Sequence, residues 1–456
     1  MAQVVRGVMG LGLVLGVGAL PVAAQSMALP AADPVGIARS GAQVAFGYSL
    51  EAASLNPALL ASLKEKYGAY FSIGVEAASA QQSLESNQKS YFSNDENRGL
   101  VGLGLAMRVS PKLSLGLKMD EPFLRHSQLV ADAPSRYLGD GIDVHSVRLE
   151  GQAAWTVNPN LSIGLGLGAA RLSYDSSSLM RLNVPVDPTL PVSSTNAVDG
   201  LVEHRIGQRG DKVVPSYSLG VRWAISPRWT LGFVHQSGLK GDLGMQAEYR
   251  DAPLGYYAND GLSTAPLGTA TRATTLLGVS AATVGSSATM ELPSQTTLGM
   301  RQRVTPMVTW EADLRWTSGS MRMPSFAMVQ TPSGPVLAPT ELPQGQGYLS
   351  LLASAEFELG KVWTLRAGAA LTQRSVAEAT LEPLLGGTST SAFSIGAGYK
   401  AWGGELNFGY QYRQSQDQDR SQLSGTWSST GFHPSPTRVR VEGMGHLLAL
   451  GFKKTF

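Results

Sequence analysis

From Tyr67 to the C-terminus, stretches of about ten residues alternate apolar with small or polar side chains, a length matched to a transmembrane β-strand. The stretch Leu161-Ser-Ile-Gly-Leu-Gly-Leu-Gly-Ala169 is the plainest case. Leu161, Ile163, Leu165 and Leu167 fall on one face of an extended chain, and Ser162, Gly164, Gly166 and Gly168 on the other. About fourteen such strands are predicted, at 67–78, 99–109, 113–122, 144–157, 161–174, 215–225, 228–239, 291–303, 308–318, 346–359, 362–374, 391–400, 404–415 and 441–456. Six connections between them are tight and rich in Pro, Gly or Asn, as in Val157-Asn-Pro-Asn160. Seven are long, among them 175–214, 240–290 and 416–440, and the two kinds alternate without exception. Short turns at one end and long loops at the other are the pattern of an all-β, transmembrane antiparallel β-barrel.

The charges decide which face meets lipid. Lys+Arg and Asp+Glu number 36 and 34, and all four together make up 15% of the chain, well below the level of about 25% usual in soluble domains. Those within strands share the non-apolar face: Glu76, Arg108, Lys118, Asp120, Arg148, Glu150, Arg222, Arg301, Arg303, Glu311, Asp313, Arg315, Glu356, Arg366 and Arg413. Arg148, Arg222, Arg301, Arg303, Arg315 and Arg366 are therefore expected to line the lumen. A Lys or Arg facing lipid at midplane would cost roughly 2–4 kcal/mol. Arg171 and His235 are the exceptions, placed toward the extracellular strand ends. Trp155, Trp223, Trp229, Trp363 and Trp402 lie within a few residues of the tight turns, as an interfacial aromatic girdle requires. The chain ends on an aromatic, Phe456, with Gly451 in the last strand, which resembles the assembly signal read by the barrel assembly machinery.

Ahead of the strands, Arg6, the apolar run Gly7 to Leu20 and Pro21-Val-Ala-Ala24 have the form of a secretory signal peptide cleaved after Ala24. No later run is long and apolar enough for a membrane helix. The expected organisation is a signal peptide over 1–24, a compact N-terminal segment over 25–66, and a barrel over 67–456. The segment does not alternate. Asn56 is a good helix N-cap, Pro57 suits the first helical position, and Leu59, Leu60 and Leu63 would share one face of a short helix. A fourteen-strand lumen is too wide for its own side chains to fill, so a segment preceding the first strand on the periplasmic side folds beneath or inside it.

The near-zero net charge of +2 argues against a nucleic-acid partner, and the absence of cysteine excludes disulfides and thiol chemistry. The six histidines, His126, His145, His204, His235, His433 and His446, lack ligand spacing, and no nucleotide, hydrolase or zincin motif is present. No cofactor, no metal and no enzymatic activity are expected. Glu311/Asp313 and Glu356/Glu358 each place two carboxylates about 7 Å apart on one strand face. Carboxylate pairs serve glycosidases, but with Arg301, Arg303, Arg315 and Arg366 nearby an ion-pair network is the expected reading.

The stretches Arg39-Ser-Gly-Ala42 and Glu51-Ala-Ala-Ser-Leu-Asn-Pro-Ala-Leu59 resemble the hatch of the FadL-type outer-membrane transport proteins, channels for long-chain fatty acids and aromatic hydrocarbons. Glu121-Pro-Phe123 is similar to a recurrent Pro-Phe of the same family. The resemblance implies a bacterial outer-membrane location among lipid and lipopolysaccharide, passive uptake of a hydrophobic small molecule, and a hatch that includes Arg39, Ser40, Gly41, Asn56, Pro57, Ala58 and Leu59. The long loop 240–290 carries Leu254, Tyr256, Tyr257, Leu262 and Leu276, apolar groups that would line a capture groove. A docking scaffold for protein secretion or surface attachment is the alternative, since some relatives serve that role. A general porin is a third reading, which the inward charges permit and a hatch would obstruct.

Overall fold

The computed structural model describes residues 33–46, 50–84, 90–92, 98–128, 141–184, 198–251, 283–318, 321–331, 334–344, 347–374, 389–415, 418–428 and 431–456. The expected signal peptide and Leu254, Tyr256, Tyr257, Leu262 and Leu276 lie outside them. Two short helices come first, α1 (Pro34–Ala38) and α2 (Leu50–Leu55), then a 3-10 helix over Pro57–Ser62. The strands follow as β1 (Tyr67–Leu84), β2 (Ser90–Phe92), β3 (Arg98–Ser110), β4 (Leu113–Gln128), β5 (Gly141–Asn158), β6 (Leu161–Val184) and β7 (Val198–Ala224). Next come β8 (Trp229–Gln236), β9 (Leu239–Asp251), β10 (Thr283–Leu292), β11 (Ser294–Arg303), β12 (Val308–Ser318), β13 (Met321–Thr331) and β14 (Gly334–Gln344). The last are β15 (Tyr348–Leu359), β16 (Trp363–Thr372), β17 (Thr390–Ala401), β18 (Gly404–Ser415), β19 (Gln418–Ser428) and β20 (Gly431–Thr455).

Fourteen strands close an antiparallel wall in the order β1, β3 to β8, β11, β12, β15 to β18 and β20. Closure is made by β20 pairing with β1 from Gly68↔Thr455 to Leu84↔Val439. A closed wall leaves no unpaired edge in hydrocarbon, where each unsatisfied backbone group would cost several kcal/mol. All fourteen expected strands are present. The long connections differ from expectation: β6 and β7 continue to Val184 and from Val198, and β13 with β14 forms a hairpin inside the expected 319–345 loop. Alternation stops predicting strand where neither face needs lipid, so the sequence of these extensions has the pattern of a loop.

The lipid-facing assignment holds. Ile163, Leu165 and Leu167 are 47%, 42% and 60% exposed, while Ser162 between them is 4% exposed. Trp155, Trp223, Trp363 and Trp402 are exposed at the turn end of the wall, and Trp229 stacks edge-on against Trp310 at 6.0 Å. A second polar-aromatic group lies on the outer face, where the Tyr410 hydroxyl meets His446 Nδ1 at 2.9 Å beside Tyr412. Arg171 is exposed, 3.3 Å from Asp211. His235 lies one residue before the end of β8. Its cost is offset by a 2.9 Å hydrogen bond between Nδ1 and Thr296 Oγ1 and by the Tyr217 ring at 5.8 Å.

Two wall irregularities stand out. In β4 the register slips between Asp120 and Phe123, across the Pro122 that cannot donate to the ladder. Above it β3 and β4 are not paired; their ladder ends at Leu103↔Met119. Across the wall, Ser237-Gly238 separates β8 from β9 and Pro293 separates β10 from β11.

Candidate functional site

The lumen is occupied by residues 33–46 and 50–63. Asp33 caps α1 by accepting the Val35 amide at 2.8 Å, and its other oxygen accepts from Gln43 Nε2 at 2.9 Å. Burial, with the Glu51 carboxylate nearby, pushes the Asp33 carboxyl up to about 7. After α1 the chain reverses through Ser40 (φ 51°) and Gly41 (φ 82°), left-handed positions that favour glycine. This turn delivers Arg39 and the following amides to one wall strand.

The capture is electrostatic. Arg39 Nη2 donates to Glu311 Oε2 at 2.7 Å, Nε donates to Ala42 O at 2.9 Å, and the guanidinium lies 4.0 Å from the Phe46 ring centroid. Three successive amides end on two carboxylates of β12. The Gln43 and Val44 N–H groups donate to Asp313 Oδ2 at 3.0 and 3.2 Å, and Ala45 N–H to Glu311 Oε1 at 2.7 Å. Charge-assisted bonds of this kind are about twice as strong as neutral ones. Ser40 and Ser394 hydroxyls meet at 2.6 Å, and Arg315 Nη2 donates to Gly41 O at 3.3 Å. Arg366 joins Glu356 at 2.8 Å, Glu405 at 3.0 Å and Asn407 at 2.8 Å. Lys453 completes this side, 3.2 Å from Glu405 and 3.7 Å from Glu51 of α2.

The second half docks on the opposite wall. Asn56 is fully buried and caps the 3-10 helix, its Oδ1 accepting the Ala58 amide at 3.1 Å. Its Nδ2 donates to Val44 O at 2.8 Å and to Val221 O of β7 at 3.2 Å, tying segment to segment and segment to wall. Ser162 donates to Ala58 O at 3.2 Å, Lys118 to Ser54 O at 2.5 Å and Gln152 to Ala53 O at 3.2 Å. Lys118 also lies 3.3 Å from Glu150, and Arg148 holds Asp120 with two bonds of 2.9 and 2.6 Å. A buried charge left alone is costly, so these groups are stable only as a connected set. Leu59, Leu60 and Leu63 are buried with Val35 and Phe46 in a small apolar cluster. The expected short helix is a six-residue 3-10 helix that ends where Leu63 turns extended (ψ 118°) to lead into β1.

Wall glycines make this approach possible. A Cβ on Gly164 would fall 2.3 Å from Ala58 N, and one on Gly220 2.0 Å from Asn56 Oδ1. Gly232, Gly368, Gly396 and Gly409 would meet Val44 O, Arg39 C, Ala38 Cβ and Pro34 O at 2.2–2.4 Å. Gly164 faces Gly220 across the ladder, and Gly396 faces Gly409. Glycine is therefore in excess, 52 residues, partly because the lumenal backbone lies directly on the wall backbone.

Every expected hatch residue, Arg39, Ser40, Gly41, Asn56, Pro57, Ala58 and Leu59, is in the lumen. Of the expected lumen charges, Arg148, Arg315 and Arg366 hold the contacts above, and Arg222 is half-buried on β7. Arg301 sits 5.1 Å over the Phe46 ring, and Arg303 is exposed at the mouth, donating to Pro306 O at 3.1 Å. Sequence reasoning placed Glu311 and Asp313 in a network with wall arginines. Glu311 is also paired with Arg39, and both carboxylates take backbone amides of the segment. Toward the long-loop end a cavity of about 50 Å³ remains between segment and wall, bounded by Gln43, Leu55, Phe123, Arg148 and Arg315. Toward the turn end lies one of about 520 Å³.

A closed fourteen-strand wall with an apolar outer surface, a turn-end tryptophan girdle and a charged lumen defines an outer-membrane β-barrel. The family model described as outer membrane protein transport protein (OMPP1/FadL/TodX) matches residues 16–456, and the chain belongs to this family. Its location is the bacterial outer membrane. A FadL homologue of Pseudomonas aeruginosa superposes with a TM-score of 0.74 at 16% identity, covering 95% of this chain and 100% of the other. The toluene transporter TbuX of Ralstonia pickettii gives 0.61 at 16% identity, covering 93% and 98%. The toluene transporter TodX of Pseudomonas putida gives 0.61 at 12% identity, covering 95% and 100%. A comparison with curated protein sequences found no significant match.

Proposed function

We propose that this protein is a passive channel for small hydrophobic molecules, long-chain fatty acids or aromatic hydrocarbons, and that residues 25–66 are the hatch that plugs it. The observation that carries the reading is how the segment is held. Its described residues contribute no strand to the wall. Beyond one small apolar cluster, they rest on wall glycines through side-chain bonds that can break one by one. Two structural neighbours are toluene transporters, which supports the hydrophobic class. Of the carboxylates that a hydrolase could have used, Glu311 and Asp313 accept amides of the segment and Glu356 is bound by Arg366, which favours a transport role over catalysis. Leu254, Tyr256, Tyr257, Leu262 and Leu276 remain the proposed capture surface.

Deletion of residues 25–60 tests the plug. The deleted protein should still form a heat-resistant barrel, because the wall ladder does not include the segment. Ion conductance in planar bilayers should rise, and directed uptake of an apolar tracer into liposomes should fall. A deletion that conducts no better than the full chain would refute the plug. Unchanged uptake with loss of a bound protein would favour the docking scaffold.

A further inference from the structure

Charge is divided unevenly between the two ends of the barrel. The chain is nearly balanced, with 36 basic and 34 acidic side chains, yet none of the tight turns contains Asp or Glu. Lys112, Arg228, Arg303 and Lys400 lie at the turn end and are exposed. Each continues the lumenal face of its strand, in step with Ser114, Thr230, Arg301 and Gly398. The outward positions at the same end are apolar and exposed, as Val109, Val157, Ile225, Val304 and Leu359. The cations therefore ring the periplasmic mouth, with the apolar wall between them and the bilayer. Exposed acidic side chains at this end are Glu65 and Glu358, while Lys66, Lys361 and Lys454 add further positive charge. The ring is also set against itself. Arg303 N–H donates to Arg228 O at 2.8 Å, which places two arginines side by side on neighbouring strands, and Lys400 N–H donates to Val362 O at 3.0 Å, next to Lys361. Like charges opposite one another destabilise a ladder. Among the described residues, Lys112, Arg228, Arg303 and Lys400 form no ion pair that would offset this.

We infer that this lip is a docking surface for a soluble periplasmic protein that presents a cluster of carboxylates. Charge complementarity carries the choice of partner. A carboxylate seated between Arg228 and Arg303 relieves their repulsion, so the ring is better satisfied docked than free. Phospholipid headgroups fit the geometry less well. They lie outside the wall, where the turn-end positions are apolar residues and the tryptophan girdle rather than cations. A single small anion would engage one pair and leave the rest of the ring unmatched. The side chains are long and solvated, so their first effect is to steer and orient an acidic partner as it approaches. The partner would sit directly beneath the lumenal segment. This surface goes beyond the channel reading and stands whether or not the lumen transports.

The full-length protein in phosphatidylcholine nanodiscs is titrated at low ionic strength with a rhodamine-labelled peptide of alternating Glu and Gly, and anisotropy reads the binding. Binding should saturate, and the corresponding Gln-Gly peptide should not bind. Arg228→Gln combined with Arg303→Gln should weaken the acidic peptide roughly fivefold or more. Heat-modifiable migration of the barrel should stay unchanged, since the pair removes a repulsion from the ladder. Arg209→Gln combined with Lys212→Gln takes the same charge from exposed positions on β7, at the loop end, and should leave binding unaltered. Equal weakening by the two double variants would reduce the effect to net charge and overturn the surface, as would undiminished binding by the first. Native mass spectrometry of protein extracted from mixed phosphatidylglycerol and phosphatidylcholine discs tests the lipid alternative. Equal lipid retention by wild type and the first variant is expected. Phosphatidylglycerol retained by wild type and lost from the variant would assign the ring to lipid and overturn the protein partner. Uptake of a neutral apolar tracer, measured alongside, tests the channel reading independently of the peptide.

Discussion

Replacing Gly164 by alanine isolates the contact between hatch and wall. The added methyl would lie 2.3 Å from Ala58 N, 2.5 Å from Pro57 C and 2.8 Å from Ala58 Cα, all backbone atoms that no rotamer change can move. Restoring ordinary contact requires the 3-10 helix to lift by about 1 Å. That displacement breaks the 3.2 Å bonds from Ser162 to Ala58 O and from Asn56 to Val221 O. Each loss costs about 1 kcal/mol, and more where a buried group is left unpartnered, giving about 2–4 kcal/mol in all. The unseated population should then rise roughly 30- to 1000-fold. Gly151→Ala is the control, since its methyl would meet nothing nearer than Leu167 O at 3.8 Å. Planar-bilayer conductance and protease cleavage within residues 33–62 read the seating. Both should rise for Gly164→Ala and stay unchanged for Gly151→Ala. If Gly164→Ala stays as closed and as protected as the control, the glycine does not seat the hatch. If it fails to assemble, the glycine serves the wall and the reasoning is equally refuted.

Leu314→Arg places a charge on the lipid face and should cost roughly 2–4 kcal/mol of assembly, while Thr309→Arg, on the lumenal face, should be much milder; folded fraction in a urea titration in lipid vesicles reads the difference. The hatch should also seat more firmly at pH 5 than at pH 8. Asp33 holds its proton up to about 7 when seated and only to about 3.8 when released, so seating is unpenalised below about 4, weakens as pH rises through that window and is weakest above 7. Asp33→Asn keeps an oxygen for the cap and should flatten the conductance–pH slope; an unaltered slope would reject Asp33 as its source.

Much of the wall was legible because lipid imposes a simple rule. Leu165 and Leu314 must face out and Arg148 and Glu311 must not, and period two records that rule directly. The strand extensions of β6, β7, β9 and β10 rise above the alternation that marked the membrane, so nothing in the sequence required them. The Asn56 cap was legible because capping is local. The partner of Arg39 was not, because Glu311 lies 272 residues away and only the closed barrel brings them together. A usable signal was overlooked in the glycines. Gly164 and Gly220, or Gly396 and Gly409, pair across the ladder on the inward face, and such side-chain-free pairs mark where another backbone lies.

The lumenal segment also bears on how the barrel is built. Its 3-10 helix touches β5, β6 and β7, while α1 touches β16, β17, β18 and β20. These strands come from opposite ends of the wall sequence and are joined only when β20 zips onto β1. An unfinished wall therefore offers half a cradle, and the segment can reach its full set of contacts only at the moment of closure. Deep protection of residues 33–62 from protease is then a certificate of a finished barrel, one that a stalled intermediate with every turn and girdle in place could not show.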